Sequence, residues 1–482
     1  MNNVRELQPK ELWNHFADLN AVPRPSKKEE QVIEFLKSFG NSLKLETIVD
    51  EVGNIIIRKP GSKGMENKDS VVLQGHMDMV PQKNAEVEHD FEKDGINMYA
   101  DGDWVKAKGT TLGADNGIGV AAIMTILASD DIPHPPIEAL FTVDEETGLT
   151  GAQALKAGLL TGANLLNLDT EDDDELTIGC AGGVDVTADG TYMEEELTDE
   201  HSGCKLIVRG LSGGHSGIQI NLGRGNSNKI MNRLLYGATQ KFGLRIASVN
   251  GGSLRNAIPR ESTAEVLIPV DNLDQFEKYF EQESKTIASE FKTTDPELEI
   301  AMEKVSVSSK VVDKIFQAKF LHAIYACPNG VYRMSPDIDG LIQTSNNLAK
   351  ISIANGKYLV HCLTRSAIDT EKMDFAQSIV STFALADIKI ELTGAYPGWI
   401  PKPEAPIVKL MSDTYQKLFN EKVKVTATHG GLECGIIGKN YPDMDMISFG
   451  PNITGPHSPD EKVQISSVQK FWKLLLEVLK HI

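Results

Sequence analysis

Five residues scattered along the chain, His76, Asp115, Glu146, Asp169 and His457, each stand at the end of an apolar run or in a glycine-marked turn. Imidazoles and carboxylates are the usual protein ligands of Zn2+ and similar divalent ions. Glu145, beside Glu146, is left free to act as a base. The set suggests a two-metal hydrolase. Each residue also has a plainer reading. His76 can simply end a core strand, Asp115 can cap a helix, Glu145-Glu146 can be a solvated acidic turn, and His457 an exposed loop histidine. Asp169 opens the run DTEDDDE, most of which reads as a solvated acidic stretch. In His76-Met77-Asp78 the outer side chains share a face if the segment is a strand. Asp78 can then accept the second ring N–H of His76 and fix its tautomer. Two adjacent carboxylates at a strand end point different ways, so one can hold a metal while the other faces the reacting water. The loop around Asp115, TLGADNGIG, is not a GxxxxGK[ST] phosphate cradle, which argues against a nucleotide.

The elements that must position these residues alternate. Helices are expected over 9–19 and 26–39, strand-turn-strand over 44–58 about Gly53, a buried strand over 71–80 through His76, and a hairpin about Asp101-Gly102-Asp103. NGIGVAAIMTILAS, after Asp115, reads as a buried helix, 137–143 as a strand ending at Asp144-Glu145-Glu146, 151–156 as a short helix, and 163–168 as a strand ending at Asp169. This is an α/β pattern: a mixed sheet with substantial parallel pairing, flanked by helices. Ligands collect beyond the carboxyl ends of such strands.

From about Val184 the rhythm changes. A helix (226–242), two strands (244–249, 262–270), a helix (272–291) and a strand (297–305) are followed by the same order at 310–326, 348–353, 357–364, 372–386 and 388–392. The pattern suggests two copies of an α-β-β-α-β unit. TGAYPGWIPKPEAPIV reads as a crossing between domains. If His457 joins the early ligands, the tail returns to the first domain. Residues 1–186 and 396–482 then form a discontinuous catalytic domain, and 187–395 an inserted α+β lid domain of two similar units.

At 482 residues the chain exceeds one ordinary core. Its 41% hydrophobic and 24% charged residues fit a soluble globular protein. A net charge of −20 disfavours nucleic acid and anionic membrane as partners. The start, MNNVRELQPKELW, lacks a signal-peptide pattern, and the apolar run 120–128 is too short to span a bilayer. Five dispersed cysteines without a CxxC pair argue against a disulfide framework and a zinc finger. The cytoplasm is the expected setting.

In this order, GHMDMV, TLGADNGIG, TVDEETGLTGA, LLNLDTED and GPNITGPHSPDE resemble the motifs of the M20 metallopeptidases over nearly the whole chain. GGHSG at 213–217, YPGWIPKPEAPI and HGGLECGI resemble the aminoacyl-histidine dipeptidase branch of that family. The resemblance implies a di-zinc peptidase in which Asp115 bridges two ions. His76 and Asp169 complete one site, Glu146 and His457 the other; Mn2+ or Co2+ would also suit these ligands. Asp78 orients His76, Glu145 is the general base, and a cis peptide follows Asp115. Some M20 branches carry Glu where Asp169 stands; the dipeptidase-like ones carry Asp. His215 matches a lid histidine that reaches the scissile carbonyl. Asn256 and Arg365 match lid contacts, and His429 with the Gly430-Gly431 backbone faces the peptide carboxylate. Arg365 can instead be a surface arginine, and Glu433 part of a structural salt bridge. The implied activity is hydrolysis of small peptides, namely dipeptides including carnosine-like Xaa-His ones. The alternative is an M20 deacylase or aminoacylase acting on N-acyl amino acids. Small relatives with one lid unit dimerise and borrow the lid histidine. Two units in one chain can complete the site within a subunit, so a homodimer stays open.

Overall fold

A strand buried on both faces needs partners on both sides, and Val71–His76, buried at all six positions, has them. It pairs in parallel with Ile137–Thr142 on one side and Asn164–Asn167 on the other. Asp445–Ser448 adds a fourth parallel strand beside Asn164–Asn167. Antiparallel strands extend both flanks, so the sheet is mixed. Its order is Glu46–Val49, Ile55–Lys59, Ile137–Thr142, Val71–His76, Asn164–Asn167, Asp445–Ser448, Glu175–Cys180, Lys424–Thr428. Parallel strands end at one sheet edge. The segments carrying His76, Glu145, Glu146 and Asp169, and after a longer loop His457, therefore all leave from that edge.

The structure is a computed structural model and describes residues 3–197 and 200–482. By contact the chain forms two units. The first comprises Met1–Cys180, Trp399–Ala427 and Leu432–Ile482; the second comprises Ala181–Gly398 and Thr428–Gly431. Among the described residues no helix is long and apolar enough to cross a membrane.

In the first unit the apolar run after Asp115 becomes helix Ala114–Ala128, buried everywhere except at Asp115 and Ala128. A helix apolar all round belongs in a core. The hairpin at Asp101-Gly102-Asp103 joins Met98–Asp101 to Trp104–Ala107. That pair lies in a four-stranded sheet with Lys462–Gln464 and Ile453–Thr454, and the His457 loop connects the last two.

The second unit rests on one antiparallel sheet. Its path is Glu299–Lys304, His201–Arg209, Ser262–Pro269, Arg245–Gly252, Ile342–Ala354, Lys357–Ser366, Gly182–Thr191, Glu391–Tyr396. The path is two copies of one motif. The first copy runs, in chain order, strand His201–Arg209, helix Ser227–Phe242, strands Arg245–Gly252 and Ser262–Pro269, helix Leu273–Phe291, strand Glu299–Lys304. The second runs strand Gly182–Thr191, helix Lys314–Ala326, strands Ile342–Ala354 and Lys357–Ser366, helix Asp369–Ala384, strand Glu391–Tyr396. Each is β-α-β-β-α-β with its strands ordered fourth, first, third, second. The expected repeat lacked the opening strand of each copy. In the second copy that strand precedes the whole first copy, which is inserted behind it.

Several boundaries differ from the sequence expectation: the strand expected at 348–353 is longer, Ile342–Ala354, the helix expected at 26–39 is Glu30–Ser42, and three further differences have a visible cause. The strand through His76 stops there, because the Met79 amide turns away to bond the Arg24 carbonyl. Lys310–Val312 is a strand paired with Glu194–Glu196, and the helix starts only at Lys314, where the Asp313 side chain caps the amides of Ile315 and Phe316. The strand expected at 388–392 begins at Glu391, delayed by a turn in which Asp387 takes a left-handed φ of 57°.

Candidate metal centre

Asp115 lies between two histidines. Its Oδ1 stands 3.0 Å from His76 Nε2 and its Oδ2 stands 3.5 Å from His457 Nε2. His76 Nε2 is also 3.5 Å from Asp169 Oδ1, and His457 Nε2 is 2.9 Å from Glu146 Oε2. Two donor groups thus share Asp115: His76, Asp115 and Asp169 form one, and Asp115, Glu146 and His457 the other, each with its donor atoms within 4.8 Å of one another. Donors about 2.1 Å from one zinc ion stand about 3.4 Å apart in a tetrahedron, which fits these separations. Glu145 joins His76 and Glu146 in a third group.

The backbone explains how these side chains meet. Glu145–Gly148 is one helical turn entered through Asp144, whose φ is +50°. Asp115 sits in the first turn of its helix with ψ of 112°, not at the cap, and its peptide bond to Asn116 is cis. The Asn116 side-chain Nδ2 donates to the Leu168 carbonyl at 2.5 Å. A Cβ on Gly75 or Gly119 would lie 2.3 or 2.5 Å from Asn116 Oδ1, so both positions must lack one. Asn116 thereby ties the Asp115 turn to the strands that lead to His76 and Asp169.

Outer partners fix the rest. Asp78 lies beyond the strand end, so the face-sharing premise fails, yet its Oδ1 is 3.3 Å from His76 Nδ1. With Nδ1–H turned to Asp78, the Nε2 lone pair faces Asp115 and Asp169. The Glu461 carboxylate accepts the amides of Leu112, Gly113, Ala114 and Asp115 at 2.7–3.3 Å. Arg24, fully buried, donates to the carbonyls of Met77, Asp78 and Gly113. Sequence reasoning missed Glu461, Arg24 and Asn116. Glu461 and Asn116 lay within the motifs GPNITGPHSPDE and TLGADNGIG, whereas Arg24 carried no signal.

The charge balance points to cations. Among the described residues no lysine or arginine pairs with Asp115, Glu145, Glu146 or Asp169, and the buried Asp169 Oδ1 lacks a hydrogen-bond donor. Burial by itself would lower the His76 imidazole, but Asp169, Asp115 and Asp78 outweigh it and hold it well above its ordinary range. Hydrogen bonds donated to the Asp115 and Glu146 carboxylates raise His457 to about 11. Both imidazoles are thus recruited as the missing positive charge, a task divalent ions would take over while binding the neutral rings. Desolvation pushes the Glu145 carboxyl well above the usual range, with Asp169, Glu433 and Glu146 adding to it.

Glu433 makes no ion pair among the described residues. Its Oε2 accepts from Gln74 at 2.6 Å and Thr142 at 2.7 Å, and Gln74 in turn accepts from Asn167. These three side chains stand on the strands that end near His76, Glu145 and Asp169.

His215, Arg365, Asn256 and His429 fall in the second unit. His215 Nδ1 accepts the amides of Gly217 and Ile218 at 3.1 and 3.3 Å, which leaves the proton of the neutral ring on Nε2. Burial, then the Arg365 charge, lowers His215 to about 4 and His429 to about 3. His429 Nε2 is 2.8 Å from Ser345 Oγ. Arg365 is not a surface arginine: it is 4% exposed. Asn256 is exposed, and its carbonyl accepts the Ser216 amide beside His215.

Residues 72–481 match the description of Peptidase family M20/M25/M40. The chain is 42% identical over 483 residues to the cytosol non-specific dipeptidase of Escherichia coli K12, covering 100% of this chain and 99% of that one. It is similar to the crystal structure of aminoacylhistidine dipeptidase from Vibrio alginolyticus, with a TM-score of 0.93 and 43% identity over 100% of this chain and 98% of that one. The aminopeptidase PepT structure from Bacillus cereus shares the fold at 15% identity and a TM-score of 0.57, covering 98% of each chain.

Proposed function

The chain belongs to peptidase family M20/M25/M40, and from that premise we propose that it hydrolyses dipeptides, Xaa-His dipeptides such as carnosine included, at a centre of two divalent cations. The observation that carries this is the sharing of Asp115: His76 and Asp169 would complete one ion's site, Glu146 and His457 the other's. Bound there, the cations would supply Lewis acidity and lower the proton affinity of water. Zn2+ suits the donors best, and Mn2+ and Co2+ are compatible.

The chain's own residues do the rest. Glu145 takes a proton from the attacking water and passes it to the leaving amine. His215 donates its Nε2–H to the carbonyl oxygen as that atom gains charge. Arg365, His429 and the Gly430-Gly431 backbone receive the substrate carboxylate, and Asn256 is a further contact. The second unit, residues 187–395 in the sequence reading, acts as the lid that brings these groups. We assign the cytosol, following the E. coli relative's name. A homodimer is compatible with this scheme, and light scattering in solution decides it.

The test is turnover of carnosine, other Xaa-His dipeptides, Gly-Gly and N-acetyl amino acids by chelated and metal-restored protein. Dipeptides are cleaved only after metal is restored, and N-acetyl amino acids are spared. Cleavage confined to N-acetyl amino acids would make the chain a deacylase instead.

A further inference from the structure

Arg365 is 4% exposed, its Nε has no hydrogen-bond partner, and among the described residues no carboxylate stands within ion-pair distance of it. Asp185, on the neighbouring strand, is paired to Arg255 at 3.2 Å. A buried guanidinium without a counter-ion is costly and calls for an anion. One side chain holds it: Arg365 Nη1 donates to the Tyr396 hydroxyl at 2.9 Å.

That contact crosses a strand. In the sheet register Ser345 lies opposite Arg365, Arg365 opposite Gly183, and Gly183 opposite Tyr396. Directly opposed residues share a face, so the four make one rung across four adjacent strands. Tyr396 reaches Arg365 only by laying its ring over Gly183. A Cβ there would stand 2.6 Å from Tyr396 Cε1 and 2.7 Å from both Cζ and the hydroxyl. On another side of the ring, a Cβ on Gly431 would come within 3.2 Å of Cε2. At the far end of the rung Ser345 holds His429. The two polar groups proposed to meet the substrate carboxylate are therefore each braced from this row.

We propose that Tyr396, admitted by the missing side chain of Gly183, is a positioning residue that aims Arg365 at the free C-terminal carboxylate of the substrate and so sets the preference for dipeptides over their amides. The proposal rests on the dipeptidase reading above.

The experiment compares wild type, Tyr396→Phe and Gly183→Ala, all metal-loaded, on a dipeptide and on the same dipeptide with a C-terminal carboxamide. Phenylalanine keeps the ring and removes only the oxygen. A lost hydrogen bond to a charged group predicts a KM about tenfold higher for the free acid, with kcat within about twofold. The amide's KM stays put, so the acid-over-amide preference shrinks about tenfold. Gly183→Ala moves the ring and acts in the same direction; if it melts early, Tyr396→Phe decides. A second readout needs no turnover: calorimetric binding of free histidine weakens about tenfold in Tyr396→Phe, while histidinamide binding does not change. Wild type that cleaves dipeptides, with Tyr396→Phe altering acid and amide alike or neither, overturns the proposal. Wild type that cleaves none, with histidine binding still weakened in the variant, removes the dipeptidase reading and leaves the brace standing.

Discussion

Asp78 Oδ1 accepts the backbone amide of Glu145 at 3.1 Å. The same oxygen lies 3.3 Å from His76 Nδ1, while Oδ2 takes the Glu146 amide at 3.3 Å and the Ser26 hydroxyl at 2.8 Å. One buried carboxylate thus orients a ligand ring and the backbone of both glutamates. Asp78→Asn puts an NH2 where one acceptor stood. Loss of such an outer partner costs about 10- to 100-fold in metal affinity. Titration against a competing chelator, with circular dichroism to check the fold, reads this. Unchanged affinity would mean that the contact with His76 does not tune the site.

Glu145→Gln keeps the shape of the side chain and removes its basicity. We expect bound metal to stay at the wild-type level and kcat to drop by about 10²–10⁴-fold, the usual share of a general base. Metal analysis beside dipeptide turnover checks both halves. Near-normal turnover would assign the base elsewhere.

Because Asp115 faces both histidines, its removal should not act like that of the other ligands. Asp115→Ala should bind less than one equivalent of metal, whereas Asp169→Ala and His457→Ala should each retain about one, since each leaves one donor group whole. Dialysis followed by elemental analysis gives the stoichiometry. Two equivalents bound to Asp115→Ala would show that the aspartate is not shared.

His429 makes a prediction about stability. Burial, with Arg365 adding, holds its imidazole at about 3, whereas an unfolded histidine titrates near 6.5. Between those values the unfolded chain binds more protons at this position than the folded one. Stability is therefore lost as the pH falls through that window, and His429 adds no slope above it. In metal-free protein, His429→Gln should flatten the decline of the denaturation midpoint from about pH 6.5 to about pH 4. Parallel curves for variant and wild type would refute the assignment.

The strands ending at His76, Thr142 and Asn167 were legible because short apolar runs bounded by polar turns can hardly be anything else in an α/β pattern. The candidate ligands were legible because they sit just past those runs. Gly182–Thr191 was not: its burial is broken by half-exposed polar positions, and its partner strand is remote in sequence. Nor could Arg365 be told from a surface arginine, since its burial depends on packing that local pattern does not encode. The His429 turn, Thr428–Gly431, groups with the second unit although the residues on both sides of it belong to the first. The need for glycine at 183 arises only from a tyrosine more than two hundred positions away.

The interleaving of the two repeats bears on how the chain is made. Among the described residues, strand Gly182–Thr191 pairs only with Lys357–Ser366 and Glu391–Tyr396. Ribosomes add about 5–20 residues per second, so the strand waits on the order of ten seconds for its first neighbour. A lone strand is a template for wrong pairing. Gly182, Gly183 and Gly190, with Asp185 and Asp189, make this one weakly adhesive. The gap at position 183 that admits a tyrosine in the finished fold also leaves the waiting strand one side chain fewer with which to hold a wrong neighbour.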